Sequence, residues 1–240
     1  MPNSDGRVTV AAIGDLHVTE SSVAPYRELF AQISREADIM VLCGDLTNFG
    51  KTSEAEILAE DLRGCDIPVL GVLGNHDYEC GQPDKVAEIL HDAGMTVLDD
   101  QAVEVEGIGF AGCKGFIGGF GRGELAPFGE PEVKAFVDIA VNEARKLENA
   151  LRSLRTDRAV AVLHYSPVVD TLEHGRGHAG AASVGGSVAA AGSTAAGGWL
   201  RSKMDCAQGS GRREQDATVS SVAPTPISRY MTPWKASLML

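Results

Sequence analysis

Four short stretches of the sequence combine carboxylate, imidazole and amide side chains, and each follows or ends a run of apolar residues. They lie at residues 14–17 (GDLH), 44–48 (GDLTN), 74–77 (GNHD) and 164–167 (HYSP). These groups are ligands of divalent cations, and a pair of cations needs one carboxylate shared between them. Two cations about 3.5–4 Å apart share a hydroxide and polarise a phosphoryl oxygen. Such a hydroxide can attack the phosphorus of a phosphate ester. A nearby histidine that is not a metal ligand can then protonate the alkoxide that leaves.

Buried strands are expected immediately before these stretches. A single Gly-Asp after a strand is usually a turn, but four such endings in order indicate a shared site. Asp15, Asp45 and Asn75 are each separated by 30 residues, which is the length of a βα unit. The apolar runs that predict strands cover 8–13, 39–42, 68–72 and 159–163.

Helices are expected between the strands. Helical periodicity covers 24–34, 53–62, 85–93 and 130–154, and a hairpin is expected over 102–105 and 108–112. Ser53 is the expected N-cap of the second helix, with Glu56 three residues on. This alternation predicts an α/β sandwich around a central sheet, in which ligands bind at the carboxyl ends of the strands.

The four stretches resemble the first four motifs of the calcineurin-like metallophosphoesterases, over roughly residues 7–173. The resemblance implies a β-sandwich flanked by helices and a dinuclear centre of manganese, iron or zinc. In the implied centre Asp15 and His17 bind the first metal, Asp45 bridges both, and Asn75 and His164 bind the second. It further implies that His76 is the general acid, oriented by Asp77, and that the substrate is a small phosphomonoester or phosphodiester.

Other residues near the expected rim of the site carry weaker indications. Residues 114–130 are rich in Gly and Phe; they resemble a substrate-side loop of some bacterial members of the family, and an ordinary connection explains them equally well. Lys51, Lys114 and Arg122 are either phosphate-steadying groups or plain surface residues. His91 is expected on the solvent face of its helix.

Composition restricts the class of protein. The chain has 240 residues, a formal net charge of −12 and 44% hydrophobic residues, enough for a core. Such an acidic balance argues against a general nucleic-acid or membrane-surface binder. The first ten residues contain no apolar core of signal-peptide length, and no apolar run in the sequence approaches the length that spans a membrane. Its five cysteines include no CxxC pair, so we expect reduced thiols and a cytoplasmic location.

The charge balance and the amino-acid composition of the chain change near His174. Residues 175–240 hold seven basic and three acidic residues, whereas 1–174 hold 14 basic and 30 acidic ones. Of the 20 residues from 179 to 198, 17 are Ala, Gly or Ser, a composition typical of a flexible linker. We therefore expect a metallophosphoesterase domain over 1–174, C-terminally incomplete, and a disordered or aberrant tail over 175–240.

The family's fifth motif, Gly-His-x-His, is not found where the resemblance requires it. Gly177-His178 begins such a motif, but Gly180 stands where its last histidine belongs. His174 is the other candidate. Because 14 residues separate His178 from His164, a strand–helix–strand return does not fit between them.

We predict that a shift of the reading frame near residue 174 produced the tail. The change of charge sign, the change of composition and the loss of the fifth motif all occur there. Translating the same DNA in the other two frames checks this: a Gly-His-x-His after a strand is expected in one of them. Its absence from both would leave a natural linker as the explanation.

Three functions compete for this chain. The first is a metal-dependent phosphoesterase. The second is a catalytically impaired remnant that keeps the domain without the last metal ligands. The third is a binding module whose acidic face attracts a basic partner, which predicts a metal-independent interaction that weakens with salt.

Overall fold

The computed structural model describes residues 8–167, together with the backbone of 184–192. The described residues form two four-stranded sheets packed face to face, with helices on both outer sides. No helix of this part of the chain is both long enough and apolar enough to cross a membrane.

The first sheet is parallel throughout and alternates with helices. Its strands are β1 (Val10–Ile13), β2 (Ile39–Cys43), β3 (Val69–Val72) and β4 (Met95–Val97), hydrogen-bonded in chain order. Between them lie α1 (Arg27–Glu36), α2 (Thr52–Leu62) and α3 (Pro83–Asp92). Each helix buries an apolar stripe against one face of this sheet, as parallel sheets require.

The second sheet is mixed. A hairpin joins β5 (Gln101–Val105) to β6 (Ile108–Cys113), and α4 (Pro131–Ser153) leads to β7 (Arg158–Tyr165), which pairs parallel with β6. The strand β8 (Val184–Gly192) pairs antiparallel with β7. Leu147 and Ala150 of α4 pack on the outer face of this sheet.

The core between the sheets is apolar and closed. Val41 and Val72 of the first sheet face Phe110 and Val162 of the second, and all four are fully buried. Alternate residues of the same strands face the helices, so the central strands are buried on both sides. The predicted α/β sandwich flanked by helices is confirmed.

The predicted helices and strands are present, with shifted ends. The prediction missed β4, which has three residues and therefore little periodicity. The N-cap prediction for α2 was wrong: Lys51 is the N-cap, and Glu54 occupies the third helical position. The Glu54 carboxylate is buried and accepts the backbone N–H groups of Phe49 and Lys51, which satisfies donors that precede the helix.

The predicted linker over 179–198 contains β8. Small residues contribute little to a core, but their backbone groups still pair with the exposed edge of β7, from Arg158↔Gly192 to Tyr165↔Val184. The rest of the predicted tail, with His178, lies outside the described residues, as does His174.

Candidate metal centre

The loops that follow β1 and β2 run side by side and are hydrogen-bonded to each other. The backbone N–H of Asp15 donates to Gly44 O at 3.0 Å, and that of His17 donates to Asp45 O at 2.9 Å. A parallel bridge between Val18 and Thr47 continues this pairing beyond the sheet. Asp15 and His17 are therefore held beside Asp45 by the backbone rather than by their own side chains.

Three of the candidate ligands have left-handed backbone conformations. The φ angles are 56° at Asp15, 46° at His17 and 50° at Asp45. Such conformations cost free energy in residues other than glycine, and they cluster at functional sites. Here they occur in the two loops just past the ends of β1 and β2.

Two glycines allow close approach at this point. A Cβ on Gly44, whose φ is +88°, would lie 2.7 Å from the His164 ring. A Cβ on Gly74 would lie 2.2 Å from the Asp45 backbone nitrogen and Oδ1. The glycines before Asp45 and Asn75 are thus required by packing of the site itself.

His164 reaches across from the second sheet and is completely buried. Its Nδ1 donates to the carbonyl oxygen of Cys43 at 3.0 Å, so in the neutral ring Nε2 carries the lone pair. That Nε2 lies 3.0 Å from Asn75 Oδ1 and 3.3 Å from Asp45 Oδ1.

These three atoms fit a cation. All are lone-pair acceptors, and two belong to side chains that are almost fully buried. A buried carboxylate without a positive partner is costly, and nitrogen and oxygen donors of this kind suit manganese, iron or zinc.

The carboxylate and imidazole donors fall into two overlapping groups. Asp15, Asp45 and His164 form one, and His17, Asp45 and His76 form the other, each with donor atoms within 4.8 Å of one another. Asp45 belongs to both, as a bridging carboxylate would. The grouping differs from the one implied by the resemblance, because Asp15 lies with His164 and His17 lies with His76.

The second group also has an orphaned donor atom. His17 Nδ1 is buried and has no hydrogen-bond partner among the described residues. His17 Nε2 lies 3.8 Å from Asp45 Oδ2, and the His17 and His76 rings meet edge to face at 4.5 Å. These rings crowd around one carboxylate oxygen, which again fits a bound cation.

His76 is held through its backbone and one ring nitrogen. The backbone N–H of His76 donates to Asp45 Oδ1 at 2.9 Å, and its ring Nδ1 donates to the carbonyl oxygen of Asn48 at 2.7 Å. Its Nε2 therefore faces the centre, 3.9 Å from Asp45 Oδ2. Because 39% of the side chain is exposed, a substrate can reach this nitrogen.

The resemblance implies that Asp77 orients His76, and in the structure the hydrogen bonds of Asp77 go to the loops after β2 and β3. Its fully buried carboxylate accepts hydrogen bonds from Gly74 N (2.7 Å), Thr47 N (2.8 Å), Thr47 Oγ1 (2.6 Å) and Leu46 N (3.2 Å). The carbonyl oxygen of Asn48 holds the His76 ring. Burial raises the pKa of Asp77, and the hydrogen bonds from Gly74 and Thr47 oppose that shift. Asp77 thus ties the loops after β2 and β3 together.

Sequence reasoning gave no role to Cys43, Thr47 or Asn48. Thr47 and Asn48 lie within the quoted 44–48 stretch, but Cys43 and Asn48 act through main-chain carbonyls. Residue type does not reveal such contacts. Among the weaker candidates, Lys51 pairs with Glu20, Arg122 is exposed, and His91 is exposed as predicted.

A family model described as Calcineurin-like phosphoesterase matches residues 8–180. The chain belongs to this family. The match extends beyond the predicted boundary at His174 and includes His178. All four motifs of the resemblance lie within it.

Two further comparisons are more distant. A probable cyclic nucleotide phosphodiesterase of Moraxella catarrhalis (strain BBH18) is 28% identical over 113 residues. This match covers 44% of the chain and only 37% of that relative's length. One crystal structure superposes with a TM-score of 0.48 and 13% sequence identity, over 74% of this chain and 76% of its own.

The role of Asp77 can be tested by replacing it with Asn. Asp77→Asn should lower the free energy of unfolding by about 1–3 kcal/mol, because an amide NH₂ would face backbone donors. Urea unfolding of the metal-free protein measures this, with the exposed Asp138→Asn as control. Unchanged stability combined with an altered pH–rate profile would instead support the orienting role.

Proposed function

We propose that the chain is a metal-dependent phosphoesterase that hydrolyses phosphomonoesters or phosphodiesters at a dinuclear centre. The observation that carries this is Asp45, a buried carboxylate shared by two groups of donors at the ends of three neighbouring strands and β7. Family membership supports the reaction class. The distant relative described as a probable cyclic nucleotide phosphodiesterase supports including phosphodiesters among the substrates.

Asp15, His17, Asp45, Asn75 and His164 would hold the two cations. Divalent cations bound there supply Lewis-acid polarisation of a phosphoryl oxygen and activation of water. The protein's own contribution is orientation. Cys43 O fixes the His164 tautomer, and the Asp45 side chain is held by the His76 N–H.

His76 would supply the proton that the leaving group needs. In hydrolysis a bond forms between water oxygen and phosphorus, the bond from phosphorus to the alcohol oxygen breaks, and the attacking water releases one proton to solvent. The imidazolium of His76 transfers its Nε2 proton to that alcohol oxygen and becomes neutral. It keeps its Nδ1 proton, because Nδ1 donates to Asn48 O throughout.

A cytoplasmic location remains part of the proposal and rests on the cysteine pattern of the sequence. Within the described residues Cys43 and Cys113 are buried free thiols, and burial raises the pKa of each to about 12. They are inert packing groups rather than nucleophiles.

Metal content together with activity tests the proposed function. We expect two metals per chain, with hydrolysis of p-nitrophenyl phosphate or bis(p-nitrophenyl) phosphate that is lost with chelator and restored by Mn²⁺. Asp45→Ala should lower kcat/KM by more than about a hundredfold, since it removes the shared ligand. Asp138→Ala is the matched surface control. One metal or none, with no activity, would favour the impaired remnant.

Leaving-group dependence tests His76. His76→Gln should lower kcat for an alkyl phosphate by about 10²–10⁴-fold. The loss of kcat should be smaller for p-nitrophenyl phosphate, because its leaving group departs as p-nitrophenolate and needs no proton. If both substrates lose activity equally and the variant also loses a metal, His76 is a ligand with His17 and Asp45 rather than the acid.

A further inference from the structure

Lys114 lies at the end of β6, directly beside the strand that carries His164. Its carbonyl oxygen accepts the backbone N–H groups of His164 (3.2 Å) and Tyr165 (3.1 Å). The next residue, Gly115, has a φ of +76° and donates its N–H to the buried Glu143 carboxylate at 2.9 Å. Lys114 therefore has a fixed backbone position relative to the candidate metal centre.

The ammonium group of Lys114 lies among three aromatic rings. Nζ is 4.9 Å from the ring centroid of Phe116, 5.3 Å from that of Tyr78 and 5.4 Å from that of Tyr165. The Tyr165 ring in turn meets the His164 imidazole edge to face at 5.3 Å. One aromatic ring thus separates the ammonium group from a candidate metal ligand.

The charge of Lys114 is not neutralised by a carboxylate of the described residues. The two nearby carboxylates, Asp99 and Glu143, pair with Lys146 at 2.8 and 3.0 Å. Within residues 8–167, Lys114 Nζ donates one hydrogen bond, to Gly115 O at 2.7 Å, although an ammonium carries three donors. By contrast, the half-buried Lys51 pairs with Glu20.

A partly buried ammonium with no carboxylate partner among the described residues is costly. Cation–π contacts with the three rings recover part of that cost. A protein that keeps such a group beside its active centre has a ready site for an anion.

We propose that Lys114 binds a second anionic group of the substrate. The preferred substrates would be phosphate esters that carry another phosphate or carboxylate about one aromatic ring away from the scissile phosphorus. This inference rests on the proposed function and narrows its substrate class. Tyr78, Phe116 and Tyr165 hold the ammonium in place, and Glu143 fixes the backbone that carries it.

A matched pair of substrates tests the inference. Butane-1,4-diol bisphosphate and monophosphate differ only in the distal phosphate. The Mn²⁺-loaded protein should hydrolyse the bisphosphate with a kcat/KM at least about tenfold higher, as expected for a charge-assisted contact. Lys114→Met should remove that preference, with a much smaller loss of kcat/KM for the monophosphate than for the bisphosphate.

Two further variants act as controls. Lys114→Arg keeps the charge and should keep the preference for the bisphosphate. Lys134→Met removes an exposed lysine of α4 and should change neither substrate. Equal activity of the wild type on both substrates would overturn the inference, as would a Lys114→Met variant that loses both equally.

A binding measurement separates this inference from the proposed function. Calorimetry with butane-1,4-diyl bisphosphonate, which is not hydrolysed, should show affinity that falls about tenfold or more in Lys114→Met. If neither diol phosphate is hydrolysed but this difference is present, the reaction is wrong and the anion site stands. Equal affinity of the wild type and Lys114→Met overturns the anion site whatever the activity.

Discussion

The buried carboxylate of Asp45 is the group on which the rest of the centre depends. It lies just past the end of β2, is 1% exposed, and faces imidazole nitrogens of His17, His76 and His164. Backbone N–H of His76 supplies one hydrogen bond, which is too little for a charge removed from water. This arrangement of acceptors suits cations, so metal binding and the stability of the loops should be coupled.

The position of Asp45 relative to His164 is set by the core between the sheets. Asp45 belongs to the first sheet and His164 to the second, and the apolar side chains of Val41, Phe110 and Val162 keep those sheets in contact. The Gly44 backbone and the His164 ring lie so close that a Cβ on residue 44 would clash with the ring. A metal centre that spans two sheets is therefore only as well ordered as the packing beneath it.

The sequence was informative where chemistry coincides with strand ends. Asp15, Asp45 and Asn75 could be placed together because parallel strands bring their carboxyl ends to one edge. Contacts made by the main chain could not be predicted from the sequence. The carbonyl oxygens of Cys43 and Asn48 orient the imidazoles of His164 and His76, and every residue type has such a carbonyl. The hydrogen bonds that Asp77 accepts from Leu46, Thr47 and Gly74 were not predicted, because three of the four come from main-chain N–H groups. The strand β8 was missed because edge pairing needs backbone groups rather than apolar bulk.

The excess of acidic residues explains why both the candidate metal centre and the proposed Lys114 site would have to supply positive charge. Residues 1–174 hold 30 acidic and 14 basic residues, so the domain as a whole repels the anionic esters its family hydrolyses. Positive charge must then be supplied locally, where the substrate sits. In the proposed function, cations held by the donors around Asp45 would supply it at the scissile phosphate, and the proposed Lys114 site would supply it next to them. A positive charge in low-dielectric surroundings acts more strongly than a surface lysine does.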